Sequence, residues 1–414
     1  MPMPKNDNDH KQLLKQIEEL QSEIKRLEKR KRFGLVWEDK PEQVVLECQS
    51  KIPVLKEVTT KAIQTDSDQP VNILIEGDNY HALSVLNYTH RGKVDVIYID
   101  PPYNTGNKSW KYNNHFVDKD DAFRHSKWLS FITKRLRLSK SLLREDGLII
   151  VTVDDYEIGT LRLLMDSLFG EENRLGLVTI MHNPRGRSDD LYFATSHEYA
   201  LVYGSRNGKT TTYKLRLTEE QAENFPLEDG ESRYRLLPLK RTGSNSTPTE
   251  RPNLFYPIYY HSQSEEISIE NKKGFVEIVP LDTDGKKRVW RWGKDTVLQR
   301  KDTEIVVQKG RNGAYTIYAK DRIKNGRKPK TVWVDPKYDA SSHGTILLQN
   351  IIGKRKTFDY PKSLYAVKDI LEIGVRGKKH ALVLDFFAGS GTTGHAVMEL
   401  NKEDGGKRRF ILCT

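Results

Sequence analysis

The consecutive residues Asp100, Pro101, Pro102 and Tyr103 could carry chemistry on a nucleobase. A proline fixes its backbone φ angle, so the carbonyl groups of this segment point in set directions. A carboxylate and such a carbonyl can both accept hydrogen bonds from an exocyclic amine, which frees the lone pair of the nitrogen for attack on an electrophilic methyl group. An aromatic ring beside them can stack on a base flipped out of a duplex. The residue types therefore favour methylation of an amine, while an ordinary turn after a strand is the alternative.

The residues before this segment predict how it is positioned. Val94–Ile99 is apolar and rich in β-branched residues, which is typical of a buried strand. The strand must end at the prolines, since they have no N–H group to give to a ladder. Asp100 is thus predicted to lie at the carboxyl end of a strand, where open α/β sheets bind their ligands.

A second segment, residues 381–393, predicts a buried strand, a glycine turn and the start of a helix. Gly389 and Gly391 allow positive φ angles and a close approach of the backbone to a ligand. No lysine follows the glycines as in a phosphate loop. A generic strand-to-helix turn is the alternative. The residues predicted to cap the helix are Ser390, Thr392 and Thr393.

Together the two segments resemble the Asp-Pro-Pro-Tyr motif and the S-adenosylmethionine loop of DNA methyltransferases that modify amino groups. The first motif precedes the second, which is similar to the β class, whose sheet is a circular permutation of the usual fold. The chain looks most like the modification (Mod) subunit of Type III restriction-modification systems. That likeness is carried by residues 31–37, 76–83, 100–106, 124–129, 251–254 and 358–363.

The resemblance implies a fold class, a cofactor and a set of site residues. The fold is an α/β, circularly permuted methyltransferase (Rossmann-like) sheet with an inserted DNA-recognition region and an N-terminal helix. The cofactor is S-adenosyl-L-methionine, and no metal is needed. The target-base site would comprise Asp100, Pro101, Pro102 and Tyr103. The cofactor site would comprise Asp385, Phe387, Gly389, Ser390, Gly391 and Thr392, with Lys362 and Asp78 as lesser candidates.

The alternation of strands and helices divides the chain into segments. The predicted segments are an N-terminal helical segment and linker (1–70), the catalytic half of the methyltransferase domain (71–205), a target-recognition insert (206–340) and the cofactor half (341–414). In the insert, Arg288-Val289-Trp290-Arg291-Trp292 interleaves residue types that pair with phosphates and stack on bases, although a solvated β-rich domain is the alternative. An apolar repeat at residues 13–27 predicts an amphipathic helix, which either packs on its own domain or mediates dimerisation.

Composition agrees with a polyanionic partner. The 414 residues carry a net charge of +11, and the two cysteines have no metal-ligand spacing. No apolar run is long enough to span a membrane, so a cytoplasmic location is expected. The expected partners are double-stranded DNA, a second copy of the chain and a separate restriction (helicase–nuclease) subunit, since the chain has no helicase or nuclease motif.

Two alternatives remain open at this point. The same residues could methylate N4 of cytosine, although Asp at the head of the motif and Tyr at its end favour adenine within this family. The chain ends at Phe410–Thr414, and family members carry an acid that binds the cofactor ribose beyond this strand. We therefore expect a partial chain with reduced cofactor affinity, or an inactive DNA-binding subunit.

Overall fold

A computed structural model describes residues 15–22, 37–63, 70–105, 107–112, 115–188, 190–206, 208–311, 313–353 and 358–414. Residues 15–22 are helical, and Ile17 and Leu20 in this segment are 44% and 63% exposed. The remaining positions of the predicted apolar repeat, residues 31–36 and Gly106 lie outside the described residues.

The chain forms two compact units. The first comprises Met1–Leu215 together with Lys328–Thr414, and the second comprises Arg216–Arg327. The second unit is therefore narrower than the predicted insert of 206–340. Residues at both ends of that insert belong to the first unit: Leu215 is buried in its core, and Val332–Trp333 adds a strand to its sheet.

The strands and helices are numbered separately in chain order. The strands of the first unit before the insert are β1 (Ile73–Ile75), β2 (Val94–Ile99), β3 (Asn107–Tyr112), β4 (His115–Asp118), β5 (Leu143–Val153), β6 (Arg174–Met181) and β7 (His197–Gly204). The helices of the same part are α1 (Gln43–Ser50), α2 (Asn79–Thr89), α3 (Arg124–Lys140) and α4 (Ile158–Phe169).

The second unit follows in the chain. Its elements are α5 (Glu219–Glu223), β8 (Leu227–Glu228), β9 (Arg233–Pro238), β10 (Ile258–His261), β11 (Glu266–Ser268), β12 (Val276–Ile278), α6 (Lys294–Glu304), β13 (Ile305–Lys309) and β14 (Tyr315–Arg322). The chain then returns to the first unit through β15 (Val332–Trp333), α7 (Leu347–Ile352), α8 (Leu364–Val375), β16 (Leu382–Asp385), α9 (Thr392–Asp404) and β17 (Arg409–Cys413).

The main sheet of the first unit has the order β1-β17-β16-β2-β5-β7-β6-β15. The strands from β1 to β5 along this order are parallel, and β7 runs antiparallel to both of its neighbours. The last two strands of the chain thus lie between β1 and β2. This arrangement is the predicted circular permutation: the strand of the glycine turn pairs directly with the strand that ends at Asp100.

Apolar side chains cover both faces of this sheet, which is why its central strands read as continuous apolar runs. Helices α2, α3 and α4 contribute to one buried cluster, in which Trp128 and Leu83 are fully buried. Helices α8 and α9 contribute to a second cluster, which includes Leu371 and Val397. The sheet is therefore held rigidly between two helical layers.

The second unit has a core of its own around Trp290, Ile258 and Ile317. Trp290 is 2% exposed, and its indole N–H donates to the Tyr256 carbonyl at 2.7 Å. The interpretation of Trp290 as a base-stacking residue is therefore wrong: the side chain is a core residue. Arg288 in the same run donates to Asp282 at 2.9 Å.

One local expectation differs from the structure. Helix α9 begins after Gly391, whose φ is 81°, and no side chain caps it, so the predicted caps are wrong. The hydroxyls serve other partners, since Thr393 donates to Asp385 at 2.6 Å and Ser390 pairs with Thr392 at 3.0 Å. Among the described residues, we find no helix with the length and apolar character needed to cross a membrane.

Candidate active site

The candidate site lies at one edge of the main sheet. Asp100 directly follows β2, and Asp154 directly follows β5, its parallel neighbour. Strand β7 runs the other way and therefore begins at the same edge, where it carries Glu198. The sheet topology thus brings three carboxylates from distant parts of the chain to one edge.

Asp100 is held by contacts to a single carboxylate oxygen. Its Oδ1 accepts a hydrogen bond from the Thr152 hydroxyl at 2.6 Å and lies 3.0 Å from the Tyr103 hydroxyl. The ammonium of Lys362 lies 3.1 Å from the same oxygen. Within the described part of the chain, Oδ2 is left as the oxygen that could accept a hydrogen bond from a bound molecule. The Asp100 side chain as a whole is 26% exposed.

Glu198 and Lys362 complete this cluster. Glu198 is 3% exposed, forms a salt bridge with the Lys362 ammonium and accepts a hydrogen bond from the Tyr103 hydroxyl at 2.9 Å. Lys362 also contacts the Tyr103 hydroxyl and lies 4.7 Å from the centroid of the Tyr103 ring. One lysine therefore pairs with two carboxylates and covers part of the aromatic ring.

The electrostatics of the cluster follow from its burial. Burial raises the pKa of Asp100, although the Lys362 charge opposes that shift. For Glu198, burial is outweighed by the Lys362 and His182 charges, so its pKa is lowered. Burial raises the pKa of Tyr103 well above its usual range, so that its phenol remains a hydrogen-bond donor. The two carboxylates of the cluster thus share one lysine charge.

Two buried polar atoms next to this cluster have no hydrogen-bond partner among the described residues. They are Oδ2 of Asp154 and Nδ1 of His182. Burial raises the pKa of Asp154 to about 6, and burial lowers that of His182. Buried polar groups are normally satisfied, so these two atoms are the ones next to the cluster that could pair with a bound molecule or an ordered water.

Sequence reasoning missed Glu198, Asp154 and His182. Asp154 directly follows a predicted strand, as Asp100 does, so the same rule applied to every strand would have found it. Glu198 begins a predicted strand, and its role depends on the antiparallel direction of that strand, which the sequence does not indicate. Lys362 was predicted as a cofactor-side residue, and the structure places it against the catalytic motif.

A buried network holds the loop that follows Tyr103. Glu157, which is fully buried, accepts a hydrogen bond from the Asn104 amide at 2.6 Å and lies 2.5 Å from His125 Nδ1. Trp128 donates its indole N–H to the Pro102 carbonyl at 2.9 Å. The loop is thus attached to α3 and α4 on both sides. With the Pro102 carbonyl engaged by Trp128, the Pro101 carbonyl is the better candidate to accept from a substrate amine.

The glycine turn lies at the same edge, after β16. Gly389 and Gly391 have φ angles of 52° and 81°, and no atom lies within 4 Å of the position that a Cβ of Gly391 would take. A Cβ on Gly389 would come within 2.9 Å of the Phe358 ring. The turn therefore presents bare backbone beside an aromatic ring, which suits the close approach of a ligand such as S-adenosylmethionine.

The other predicted cofactor residues lie in different places: one is buried inside the turn, and three line a cavity. Asp385 is buried, accepts from the Phe387 N–H at 2.9 Å and has its pKa raised to about 7 by burial, so it orders the turn from inside. Ser390, Gly391 and Thr392 line a small cavity that Lys362 also lines.

Asp78 lies after β1, two strands away from the glycine turn, and accepts from the Tyr80 N–H at 2.7 Å as the cap of α2. Its neighbour Asn79 donates to the Phe386 carbonyl at 2.8 Å and so joins the two loops. A cavity of about 410 Å³ opens beside Asp78. Its walls are formed mainly by residues 47–55, 75–78, His81 and Ala82. This volume is in the range of small-molecule sites.

Along the edge, the order is therefore the cavity at Asp78, the glycine turn and the Asp100 cluster. An elongated cofactor lying along this edge would have one end beside Asp78 and its reactive centre beside Asp100. The residues could position a nucleophile and a methyl donor in line while excluding water, which is the main requirement of such a transfer.

Comparison with known proteins agrees with this chemistry. The profile of an N6/N4 DNA methylase family matches residues 94–413. The chain is 36% identical over 340 residues to the Type II methyltransferase M.KpnI of Klebsiella pneumoniae, covering 81% of this chain and 78% of that protein. It is 34% identical over 392 residues to the Type III restriction-modification enzyme EcoPI Mod subunit of Escherichia phage P1, covering 86% and 59%.

Lower similarity extends to further proteins. The StyLTI Mod subunit of Salmonella typhimurium is 31% identical over 375 residues, covering 83% of this chain and 52% of that protein. The chain thus spans little more than half the length of these Mod subunits. The solved structure of the PvuII DNA methyltransferase (cytosine-N4-specific) is 10% identical with a TM-score of 0.42, covering 83% and 82%. By the extent of the profile match and the identity to M.KpnI, this chain belongs to the N6/N4 DNA methylase family.

Proposed function

We propose that this chain transfers a methyl group to N6 of adenine in double-stranded DNA, as the modification enzyme of a restriction-modification system. The observation that carries the proposal is the cluster of Asp100, Tyr103, Glu198 and Lys362, which lies on the strand next to the glycine turn. The names of the relatives support a role in a restriction-modification system. M.KpnI is a Type II methyltransferase, and the EcoPI protein is the Mod subunit of a Type III restriction-modification enzyme.

Each residue of the cluster has a distinct task in this proposal. Oδ2 of Asp100 and the Pro101 carbonyl accept hydrogen bonds from the adenine amine and make its lone pair available. After the attack, the nitrogen must lose a proton, and Asp100 is the adjacent group that can take it, since its pKa is raised by burial. Tyr103 stacks on the base with the ring face that Lys362 does not cover.

S-adenosyl-L-methionine supplies the electrophilic methyl group when it is bound. We propose that the backbone of Gly389 and Gly391 binds its methionine end and that the cavity beside Asp78 accepts its nucleoside. Asp385 and Phe387 order the turn, and Ser390 and Thr392 line the cavity next to Lys362. In this arrangement Lys362 lies between the cofactor and the base.

Methylation of N4 of cytosine is the second candidate, because the family includes both reactions. An aspartate at the head of the motif favours adenine within this family, although the amines of both bases could donate hydrogen bonds to the same two acceptors. We further propose that the chain acts as a homodimer in the cytoplasm and, by analogy with the Mod subunits, pairs with a separate restriction subunit.

The test is to incubate the purified chain with mixed-sequence duplex DNA and methyl-labelled S-adenosylmethionine, and then to identify the labelled nucleoside. We expect N6-methyladenine from the natural chain and no label from Asp100→Ala, with DNA affinity retained. Asp39→Ala is the matched control, since that side chain is 76% exposed. Labelled cytosine would replace the adenine proposal by the second candidate.

Absence of label from the natural chain would contradict methyl transfer by this chain alone. Light scattering and co-purification with a restriction subunit test the homodimer and the partner.

A further inference from the structure

Three consecutive large apolar side chains project from the loop between β6 and β7. Leu191, Tyr192 and Phe193 are 82%, 86% and 88% exposed. Scattered exposed apolar residues are common, but a contiguous group of this size usually marks an interaction site. The role of the Asp100 cluster does not account for this group.

The loop begins and ends at the active-site edge of the sheet. Strand β6 is antiparallel to β7, so it is parallel to β5 and ends at the same edge as Asp154. The loop continues directly into β7, where Glu198 belongs to the Asp100 cluster. The apolar tip therefore projects from the border of the proposed target-base site.

Backbone hydrogen bonds close the base of the loop. The N–H of Asn183 donates to the Ser196 carbonyl at 3.1 Å, and the N–H of Arg187 donates to the Thr195 carbonyl at 3.0 Å. Gly186 has a φ of 71°, and a Cβ on it would approach that of Ala194 to 2.6 Å. The two arms thus pack tightly, and the tip is supported by a defined stem.

Two arginines and two aspartates precede the tip: Arg185 and Arg187 come first, and Asp189 and Asp190 follow directly before Leu191. Asp190 is engaged inside the loop, where it accepts a hydrogen bond from the Thr195 N–H at 2.8 Å. Arg185 is exposed, and Arg187 is partly exposed on the same arm of the loop. Arg187 also lies near Asp154. Burial raises the pKa of Asp154, and the positive charge of Arg187 acts against that increase. Phosphate-pairing side chains next to large apolar ones are typical of proteins that insert a side chain between bases.

We propose that Tyr192 and Phe193 insert into the DNA duplex at the target base pair and fill the space that the flipped adenine leaves, while Arg185 and Arg187 contact the flanking phosphates. This inference rests on the proposed function, because it takes DNA as the substrate. The partner that the apolar tip binds is duplex DNA. The position of the tip, beside the Asp100 cluster and with Arg185 exposed on the same loop, favours DNA over a second copy of the chain.

The test compares Tyr192→Ala/Phe193→Ala with the natural chain on two duplexes that contain the methylated sequence found by mapping. In one duplex the target adenine is paired, and in the other it faces an abasic site, so that its flipping costs less. We expect kcat/KM on the paired duplex to fall about tenfold or more, as expected for loss of base stacking, and to remain near the natural value on the abasic duplex. Tyr192→Phe should retain most of the activity on both.

Tyr88→Ala is the matched control. Tyr88 is 79% exposed near the end of α2, which returns to the opposite edge of the sheet, so its removal should leave both duplexes unaffected. Melting curves of the variants should match that of the natural chain, because no buried contact is removed. An equal loss on both duplexes, or no loss on either, would overturn the proposal.

A readout without methyl transfer separates this proposal from the proposed function. Insertion of side chains unwinds DNA, so the natural chain should shift the topoisomers of a relaxed plasmid and the double variant should not. If the natural chain gives no labelled DNA but shifts the topoisomers, the proposed function fails and the insertion stands. If the double variant lowers the fraction of dimer in light scattering and keeps the topoisomer shift, the tip binds a second copy and the insertion is wrong.

Discussion

At the scale of single residues, one lysine controls the electrostatics of the site. Lys362 lies 3.1 Å from Asp100 and also pairs with Glu198, which is buried. Glu198 and Asp100 share the charge of this lysine. Because Lys362 is not bound to Asp100 alone, one oxygen of Asp100 is left for the substrate amine. Glu198 is thus a positioning residue, since its effect on the substrate passes through Lys362 and Tyr103.

We expect Glu198→Gln to lower kcat of methyl transfer by about 10- to 100-fold, which is typical for partners that orient reactive groups, with little change in KM for DNA. The physical reason is that Lys362 then pairs with Asp100 alone and holds it away from the amine. Steady-state kinetics with labelled S-adenosylmethionine measure the effect. Glu145→Gln is the control, because that surface residue pairs with the exposed Arg206 and Lys209, far from the Asp100 cluster in the sheet. An unchanged kcat would contradict the role of Glu198.

A second residue-scale prediction concerns pH. Burial raises the pKa of Asp385 to about 7, while the unfolded chain ionises at about 3.9. Between these values the unfolded chain binds fewer protons, so this carboxyl makes the free energy of unfolding fall as pH rises from about 4 to 7.

We expect Asp385→Asn to remove that dependence. Urea unfolding at pH 5 and pH 8 should show the variant gaining stability relative to the natural chain at the higher pH. Asp39→Asn, at an exposed position, should show no such difference. A constant difference between Asp385→Asn and the natural chain at both pH values would rule out the raised pKa.

At the scale of elements, helices α3 and α4 hold the catalytic loop. Fully buried Glu157 just before α4 contacts His125 of α3 and Asn104 of the loop, while Trp128 of α3 contacts the Pro102 carbonyl. The geometry of Asp100 and Tyr103 therefore depends on two helices as well as on the strand before them.

We expect Glu157→Ala to destabilise the first unit by about 1–3 kcal/mol, because Asn104 and His125 lose a buried partner. The same change should lower methyl transfer more than it lowers affinity for S-adenosylmethionine, since the catalytic loop is released while the glycine turn is intact. Urea unfolding and equilibrium titration of the cofactor measure the two effects. Glu171→Ala is the control, since its side chain is 74% exposed. A loss of cofactor affinity equal to the loss of activity would contradict this assignment.

At the scale of the whole molecule, each of the two units has buried clusters of its own. The core of the second unit, Arg216–Arg327, is formed within that unit around Trp290 and Ile317. The first unit contains the sheet and the candidate site. Stability and cofactor binding should therefore be separable between the two units.

We expect Trp290→Ala to destabilise the second unit by about 3–5 kcal/mol, since it removes a large buried side chain. Unfolding should then proceed in two transitions, and cofactor affinity should persist through the first. Trp37→Ala is a comparison in the first unit, where Trp37 packs partly buried against the main core. A single transition for Trp290→Ala with simultaneous loss of cofactor binding would show that the two units do not unfold separately.

The sequence alone determined the parts of the site that local chemistry specifies. The strand before Asp100 is continuous and apolar, and the prolines must end it, so the position of Asp100 follows from two local rules. The glycines of the turn after β16 likewise predict positive φ angles, and both glycines have them in the structure. Because both motifs also match a known family, the fold class and the chemistry could be predicted together.

Tertiary structure alone decided what surrounds those motifs. Glu198 reaches Lys362 because β7 is antiparallel to β5, and strand direction depends on packing over the whole sheet rather than on local residues. Trp290 belongs to a core because the elements around it fold together, although its neighbours in the chain are basic. The predicted caps of α9 were wrong because buried Asp385 competes for the Thr393 hydroxyl. Contacts between residues far apart in the sequence therefore determined the partners of each group, while the sequence determined which groups could react.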